Sequence, residues 1–175
     1  MTRTSRIART AAGLLILGAA VACTFNITFD QDKSITVDAN GTALSQVQAI
    51  DLSTQPDVQA HKANVKSLDL NQAILTITAV DALNTWATVT GSVALRPDGL
   101  TDSSQDVAVG SLTNFAITQG NTVTLQGSTA LDAFVLNAVK GTGKFQIVIT
   151  GSTTGGQVGK FTIDAKLKLA MEYET

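Results

Sequence analysis

Residue types able to do chemistry are scarce in this chain, and the scarcity bounds what it does. Cys23 is the sole cysteine and His61 the sole histidine. One thiol permits no intramolecular disulfide, and one histidine permits no histidine-pair zinc site. His61 lies in the polar stretch Ser53–Ala63, where a solvated imidazole is expected. No Gly-x-Ser-x-Gly elbow and no phosphate-binding loop are present. Gly151–Gly159 is glycine-rich, but it joins two expected strands instead of opening a helix. Asp30, Asp32 and Asp38 gather near a strand end, and Asp98, Asp102 and Asp106 recur every four residues in a loop. Oxygen clusters of this kind can hold Ca²⁺. Neither follows the EF-hand pattern, and Asp is common in turns for backbone reasons. No catalytic residue, metal ligand or cofactor site is therefore assigned, and a non-enzyme is expected. What remains is the Cys23 thiol.

The residues before Cys23 give that thiol a context. Arg3, Arg6 and Arg9 make a basic start, Ala11–Ala22 is an apolar run, and Ala20-Val21-Ala22 leads into Cys23. A basic start and a short apolar run fit a secretory signal peptide. The run falls short of the roughly 20 residues of a spanning helix. An ordinary secretion signal with an incidental cysteine, or an uncleaved anchor, is the plainer alternative.

The stretch resembles the lipobox of bacterial lipoproteins: small or aliphatic residues, then a small residue, then Cys. Ala20 stands where Leu is commoner in that family. The resemblance implies that the Cys23 thiol takes a diacylglyceryl group and that residues 1–22 are removed. It also implies that the new amino terminus is acylated, with a fatty acid such as palmitate. Residues 23–175 would then be one β-sandwich lipoprotein domain held in the bacterial envelope. Two or more acyl chains anchor stably where one does not. Thr24 follows the Cys where the family's inner-membrane retention signal has Asp, so the outer membrane is expected.

Charge supports no nucleic-acid or polybasic membrane role. The chain carries 12 basic and 14 acidic residues, and three of the basic ones precede Cys23. The remainder is net acidic, whereas those partners call for a basic patch. The length of residues 23–175 suits a single domain.

The elements that would position these residues are mostly strands. Phe25, Ile27 and Phe29 alternate with Thr24, Asn26, Thr28 and Asp30, the period of a half-buried strand. Ser34–Asp38 repeats the pattern, and Asp38-Ala39-Asn40-Gly41 signals a turn. Gln46–Leu52 is strand or helix, and Ser53–Ala63 a loop. Asn64–Leu70 and Gln72–Val80 form one bent strand or two. Trp86–Leu95 places Val89, Val93 and Leu95 opposite Thr88, Thr90 and Ser92, with Gly91 marking a bulge or close backbone approach. Asp106–Val109, Asn114–Thr118 and Thr122–Gln126 read as short strands, the last two joined as a hairpin by Gly120-Asn121. Leu131, Phe134, Val135 and Ala138 form an apolar stripe at helical spacing, capped by Ser128 or Thr129 and stopped by Gly141. This predicts one substantial helix, Thr129–Val139. Lys144–Thr150 alternates again. Phe161, Ile163, Ala165, Leu167, Leu169, Met171 and Tyr173 then occupy every second position. Such alternation means one wet and one dry face, as in antiparallel sheets. The expected architecture is mainly β: an antiparallel two-sheet sandwich with one short helix, preceded by an N-terminal signal helix.

A second resemblance covers Ala49-Ile50-Asp51-Leu52-Ser53 and Ala63-Asn64-Val65-Lys66-Ser67-Leu68-Asp69-Leu70. These stretches are similar to those of small bacterial lipoproteins of unknown function. The strand layout also resembles the Ig-like sandwich of late-embryogenesis type 2 domains. Both imply a sandwich and no catalytic residues. The expected function is a non-catalytic binding or scaffolding module in the envelope. Its partners would be the membrane through Cys23 and an envelope protein or apolar ligand. The alternative is a carrier of lipid or a small apolar ligand in a cavity of the sandwich.

Overall fold

The computed structural model describes residues 23–175. The expected signal peptide over residues 1–22, with its helix, lies outside the described residues. Eight strands and two short α-helices follow in the order β1 (Thr24–Asn40), β2 (Ala43–Asp51), α1 (Pro56–His61), β3 (Val65–Val80), β4 (Trp86–Pro97), β5 (Val107–Ala116), β6 (Thr122–Gln126), α2 (Thr129–Lys140), β7 (Lys144–Gly155) and β8 (Val158–Glu174).

They form two antiparallel four-stranded sheets, β1-β8-β3-β6 and β2-β7-β4-β5. Successive strands except β4 and β5 alternate between the sheets, and this order is that of a jelly roll. It differs from the Ig arrangement, in which strands divide ABED and CFG. The expected mainly β, two-sheet antiparallel sandwich is thus observed, with a different order from the Ig-like one. Four connections (β1–β2, β3–β4, β5–β6, β7–β8) lie at one end. The opposite end carries Cys23, the C-terminus, α1, α2 and the β4–β5 loop.

β8 explains much of this. Its dry residues Phe161, Ile163, Ala165, Leu167, Leu169 and Met171 are all buried. It pairs with β1 from Asn40↔Val158 to Thr24↔Glu174, and with β3 on its other edge. Because β8 offers an unbroken partner, the two segments expected at the start of the chain are one strand. Gln31 and Lys33 take inward positions between them, opposite Leu167 and Ala165. Both lie on the outermost strand, and an inward charge there discourages pairing with another sheet edge.

The other strand differences have local causes. Gln46–Leu52 is strand as far as Asp51, as part of β2, which pairs with β7 along its whole length, and Leu52 opens a 3-10 turn. β3 is a single strand bent by three register shifts. β5 is likewise single, with an irregularity at Asn114, whose φ is 47°. Gly120-Asn121 does turn the chain, yet no hairpin forms, because β5 and β6 belong to opposite sheets. A turn signal reports a reversal and says nothing about which strands pair. Gly151–Gly159 is mostly strand. Gly91 and Gly151 lie opposite each other in the β4–β7 ladder, where a Cβ on Gly91 would overlap the Thr150 carbonyl.

The helices plug the Cys23 end. Ser53–Ala63, expected as a loop, holds α1 between two single 3-10 turns. Pro56 opens α1 at a position where its missing N–H costs nothing. The segment is polar and buries only Leu52 and Val58, too little for a readable stripe. α2 ends at Lys140, one residue beyond the expected Val139. Ser128 caps it by accepting from the Leu131 amide at 3.4 Å. Leu131, Val135 and Val139 enter the core, and Phe134 packs edge-on against Phe145. β6 pairs only with Gln72–Thr76 of β3, so the Val65–Asn71 half lacks a strand there and α2 lies beside it. The Asp132 carboxylate accepts from the Leu70 amide at 2.9 Å, which satisfies a backbone donor that no strand reaches.

The facing of β8 is testable by denaturant unfolding. Leu167 is fully buried, and Leu167→Ala is expected to cost about 2–5 kcal/mol. The Lys166 side chain faces solvent, and Lys166→Ala is expected to change stability by no more than about 0.5 kcal/mol. Similar losses for both would mean that the facing is wrong.

Candidate functional site

β1 brings Cys23 to the helix-plugged end with no intervening linker. Cys23 is exposed, and its carbonyl accepts from the Thr175 amide at 3.4 Å. Thr24 already pairs with Glu174. The thiol therefore sits where the first and last residues of the sandwich meet.

Three aromatic rings surround this point. Phe25 is 45 % exposed and stacks on Tyr173 at 5.7 Å between centroids. Tyr173 stacks in turn on His61 at 3.6 Å, with planes 19° apart. His61 was expected in a solvated loop. It instead ends α1 and lies, half-buried, against Tyr173. The sequence carries no signal of this, because residues so far apart in the chain share no spacing. Around the rings, Lys66 pairs with Glu174 at 2.7 Å, and Lys62 donates to the Gly141 carbonyl at 2.6 Å.

The acidic groups are dispersed on structural tasks. Lys166 reaches Asp30 at 3.4 Å and Asp32 at 3.6 Å, and Lys160 reaches Asp38 at 3.6 Å. Asp106 takes a two-pronged bond from Arg96, at 2.7 and 2.9 Å, and Arg96 also donates to the Thr101 carbonyl at 3.1 Å. Arg96 thereby ties the β4–β5 loop to the sheet. Asp102 accepts from the Ser104 amide at 2.8 Å, and Asp98 lies in the exposed turn at Gly99. Among the described residues, no group of three or more His, Cys, Asp or Glu side chains is arranged to hold a metal ion.

The perturbed titrations have the same character. Hydrogen bonding to Asp106 raises the Arg96 guanidinium, and the Ser104 hydroxyl lowers Asp102. The Ser53 hydroxyl, more than nearby Lys144, holds the Asp51 carboxyl below its usual range. Asp69 is pushed upward, first by burial and then by the charges of Asp132 and Glu172. A cleft of about 440 Å³ lies between α2 and the β4–β5 loop, lined in part by Asp98, Gln105, Phe134, Asn137 and Lys144. These lining groups contain no nucleophile paired with a base.

Asp69 and Asp51 should respond oppositely to pH. A carboxyl raised in the fold contributes stability that is present at low pH and lost as pH rises through its folded pKa. Asp69→Asn should therefore be more stable than the natural chain at pH 7, with the gap closing below the ordinary carboxylate range near about 4. Asp51 is lowered, so its contribution is present above that range and lost on acidification. Asp51→Asn should be less stable at pH 7, with this gap also closing in acid. Urea unfolding at pH 7 and pH 3 reads both; gaps of the same sign would contradict the assignment.

No family model matches the sequence, and no curated protein matches it. Among solved structures, the chain is similar to one of Desmodium yellow mottle tymovirus, at 10 % identity over 100 % of this chain and 97 % of that one, with a TM-score of 0.35. It is also similar to the decameric BFDV capsid protein, at 11 % identity over 86 % and 100 %, with a TM-score of 0.44. Turnip yellow mosaic virus gives 15 % identity over 86 % and 96 %, with a TM-score of 0.35. At such identities they lend this chain no residue role.

Proposed function

We propose that the protein is an envelope lipoprotein, anchored through lipid on Cys23, whose sandwich serves as a non-catalytic binding or scaffolding module. The observation that carries this reading is the position of Cys23: exposed, preceded by Ala20-Val21-Ala22, and followed at once by a paired strand. A lipid there holds the body against its membrane, on the face bearing Phe25, Tyr173 and His61. The amphipathic ring of Tyr173 suits the headgroup layer. β1 has 17 residues, so at about 3.3 Å per residue the four far turns stand roughly 50 Å from the anchor. The outer membrane is the location this reading assigns, from Thr24 in place of Asp.

A binding or scaffolding role is favoured over a carrier by the filled space between the sheets. Leu68, Leu75, Leu95, Phe145, Ile147 and Leu167 close it from both sides and are all fully buried. A non-catalytic role is favoured by the structural employment of Arg96, Asp51, Asp102 and Asp106.

Cys23→Ser should abolish fatty-acid incorporation and move the protein from the membrane to the soluble fraction. Metabolic labelling followed by fractionation measures both. Labelled fatty acid on the Cys23→Ser protein would remove the anchor assignment.

A further inference from the structure

The two outer faces of the sandwich differ in kind. β1 and β8 cover theirs with Asp30, Asp32, Asp164, Lys166, Lys168 and Glu172. In contrast, β2, β7, β4 and β5 contain only Asp51, Lys144 and Arg96 as charged residues. All three lie at the Cys23 end and are already paired, Lys144 with Asp51 at 3.5 Å and Arg96 with Asp106. Beyond them the register sets out uncharged rows that run across the sheet. Val47, Val148, Ala94 and Ala108 form one row; Ser45, Thr150, Ser92 and Ser111 form the next. Further rows hold Ala43, Ser152 and Thr90, then Thr154, Thr88 and Ala116.

We propose that this uncharged outer face is where a second copy of the chain docks, about a two-fold axis parallel to the strands. Such an axis lays β2 on β5 of the second copy and β7 on β4. Val47 then meets Ala108, and Val148 meets Ala94, large against small at the same height. Val47 is 48 % exposed, whereas Val148 is only 4 % exposed although it lies outside the core cluster, so the row combines a projecting edge with a packed centre. Two hydroxyl pairs of these rows already bond to each other, Thr88 with Thr154 at 2.7 Å and Ser92 with Thr150 at 3.1 Å, which lowers the cost of dehydrating them.

Four strands about 4.8 Å apart and four rows of about 6.8 Å give a footprint of roughly 500 Å² per copy. The total, about 1,000 Å², is below the roughly 1,200 Å² at which stable interfaces begin. Confinement of both copies to one membrane raises their effective concentration and compensates. The choice of axis rests on the proposed Cys23 anchor, because only an axis along the strands lets both copies present that end to the same bilayer.

A crosslink tests this directly in the full chain, in its own membrane. Val47→Cys combined with Ala108→Cys places the two thiols on opposite edges of one sheet, about 14 Å apart, too far for a bond within one copy. Mild oxidation should give a covalent dimer whose joined peptides are 47 of one copy and 108 of the other. Ser152→Lys, an exposed change in the middle of the face, should reduce that product at least tenfold. Energy transfer between labelled copies of the otherwise natural chain in one bilayer should show an association that Ser152→Lys abolishes, independently of the cysteines. A natural chain that stays monomeric in the bilayer, or crosslinking that Ser152→Lys leaves unchanged, would overturn the interface. Mass analysis of Cys23 in the same sample separates the two readings. The 47–108 link with an unmodified Cys23 removes the anchor and keeps the interface; a lipidated monomer does the reverse.

Discussion

The structure depends on one ladder. β8 lies between β1 and β3, and its alternation of buried and wet residues fixes the register of both. Shifting a strand by one residue would carry its whole dry row into water, so a long alternating strand is a strong specification. With Phe161 through Met171 inward, β1 is bound to place Ile35 and Val37 inward and Asp30 and Asp32 outward beside Lys168 and Lys166. Further along, the same ladder delivers Phe25 to Tyr173 and brings Cys23 to the C-terminus. The thiol's position is thus a consequence of core packing.

The sequence was most legible where period and burial coincide. β8 and α2 were readable because one face of each is apolar throughout and no partner is needed to see it. The two-sheet class followed from several such runs. Strand pairing was not readable: Gly120-Asn121 marks a turn between β5 and β6 in either sheet arrangement. Only the neighbours of β3 and β4 decide that the chain crosses from one sheet to the other there. α1 was hidden because six residues with only Val58 buried carry no stripe. At the Cys23 end, Cys23 was legible from its own neighbourhood. The Phe25–Tyr173–His61 stack was not, since it joins three elements that only the fold brings together.

The two outer faces divide the surface by chemistry. Alternating lysine and aspartate on the β1–β8 side give solubility and discourage association of edges and faces. The Thr, Ser, Ala and Val carpet on the other side was half visible in the wet positions Thr88, Thr90 and Ser92. Its extent across four strands required the register. The end near Cys23 is occupied by helices and aromatic rings, while the far end consists of turns. One of these is held by the Trp86 indole, which donates to the Gly41 carbonyl at 2.9 Å.

The central claim is that a rigid sheet begins immediately after Cys23, so that the lipid anchor and the sandwich form one body. Amide hydrogen exchange on the lipidated protein in bilayers measures this most directly. β1 is outermost, so only alternate amides bond to β8. The account predicts that every second amide from Phe25 to Phe29 is protected as strongly as its β8 neighbours between Leu169 and Tyr173. Free exchange of all of them, with protection beginning only near Ser34, would contradict it and make Thr24–Asp30 a flexible tether.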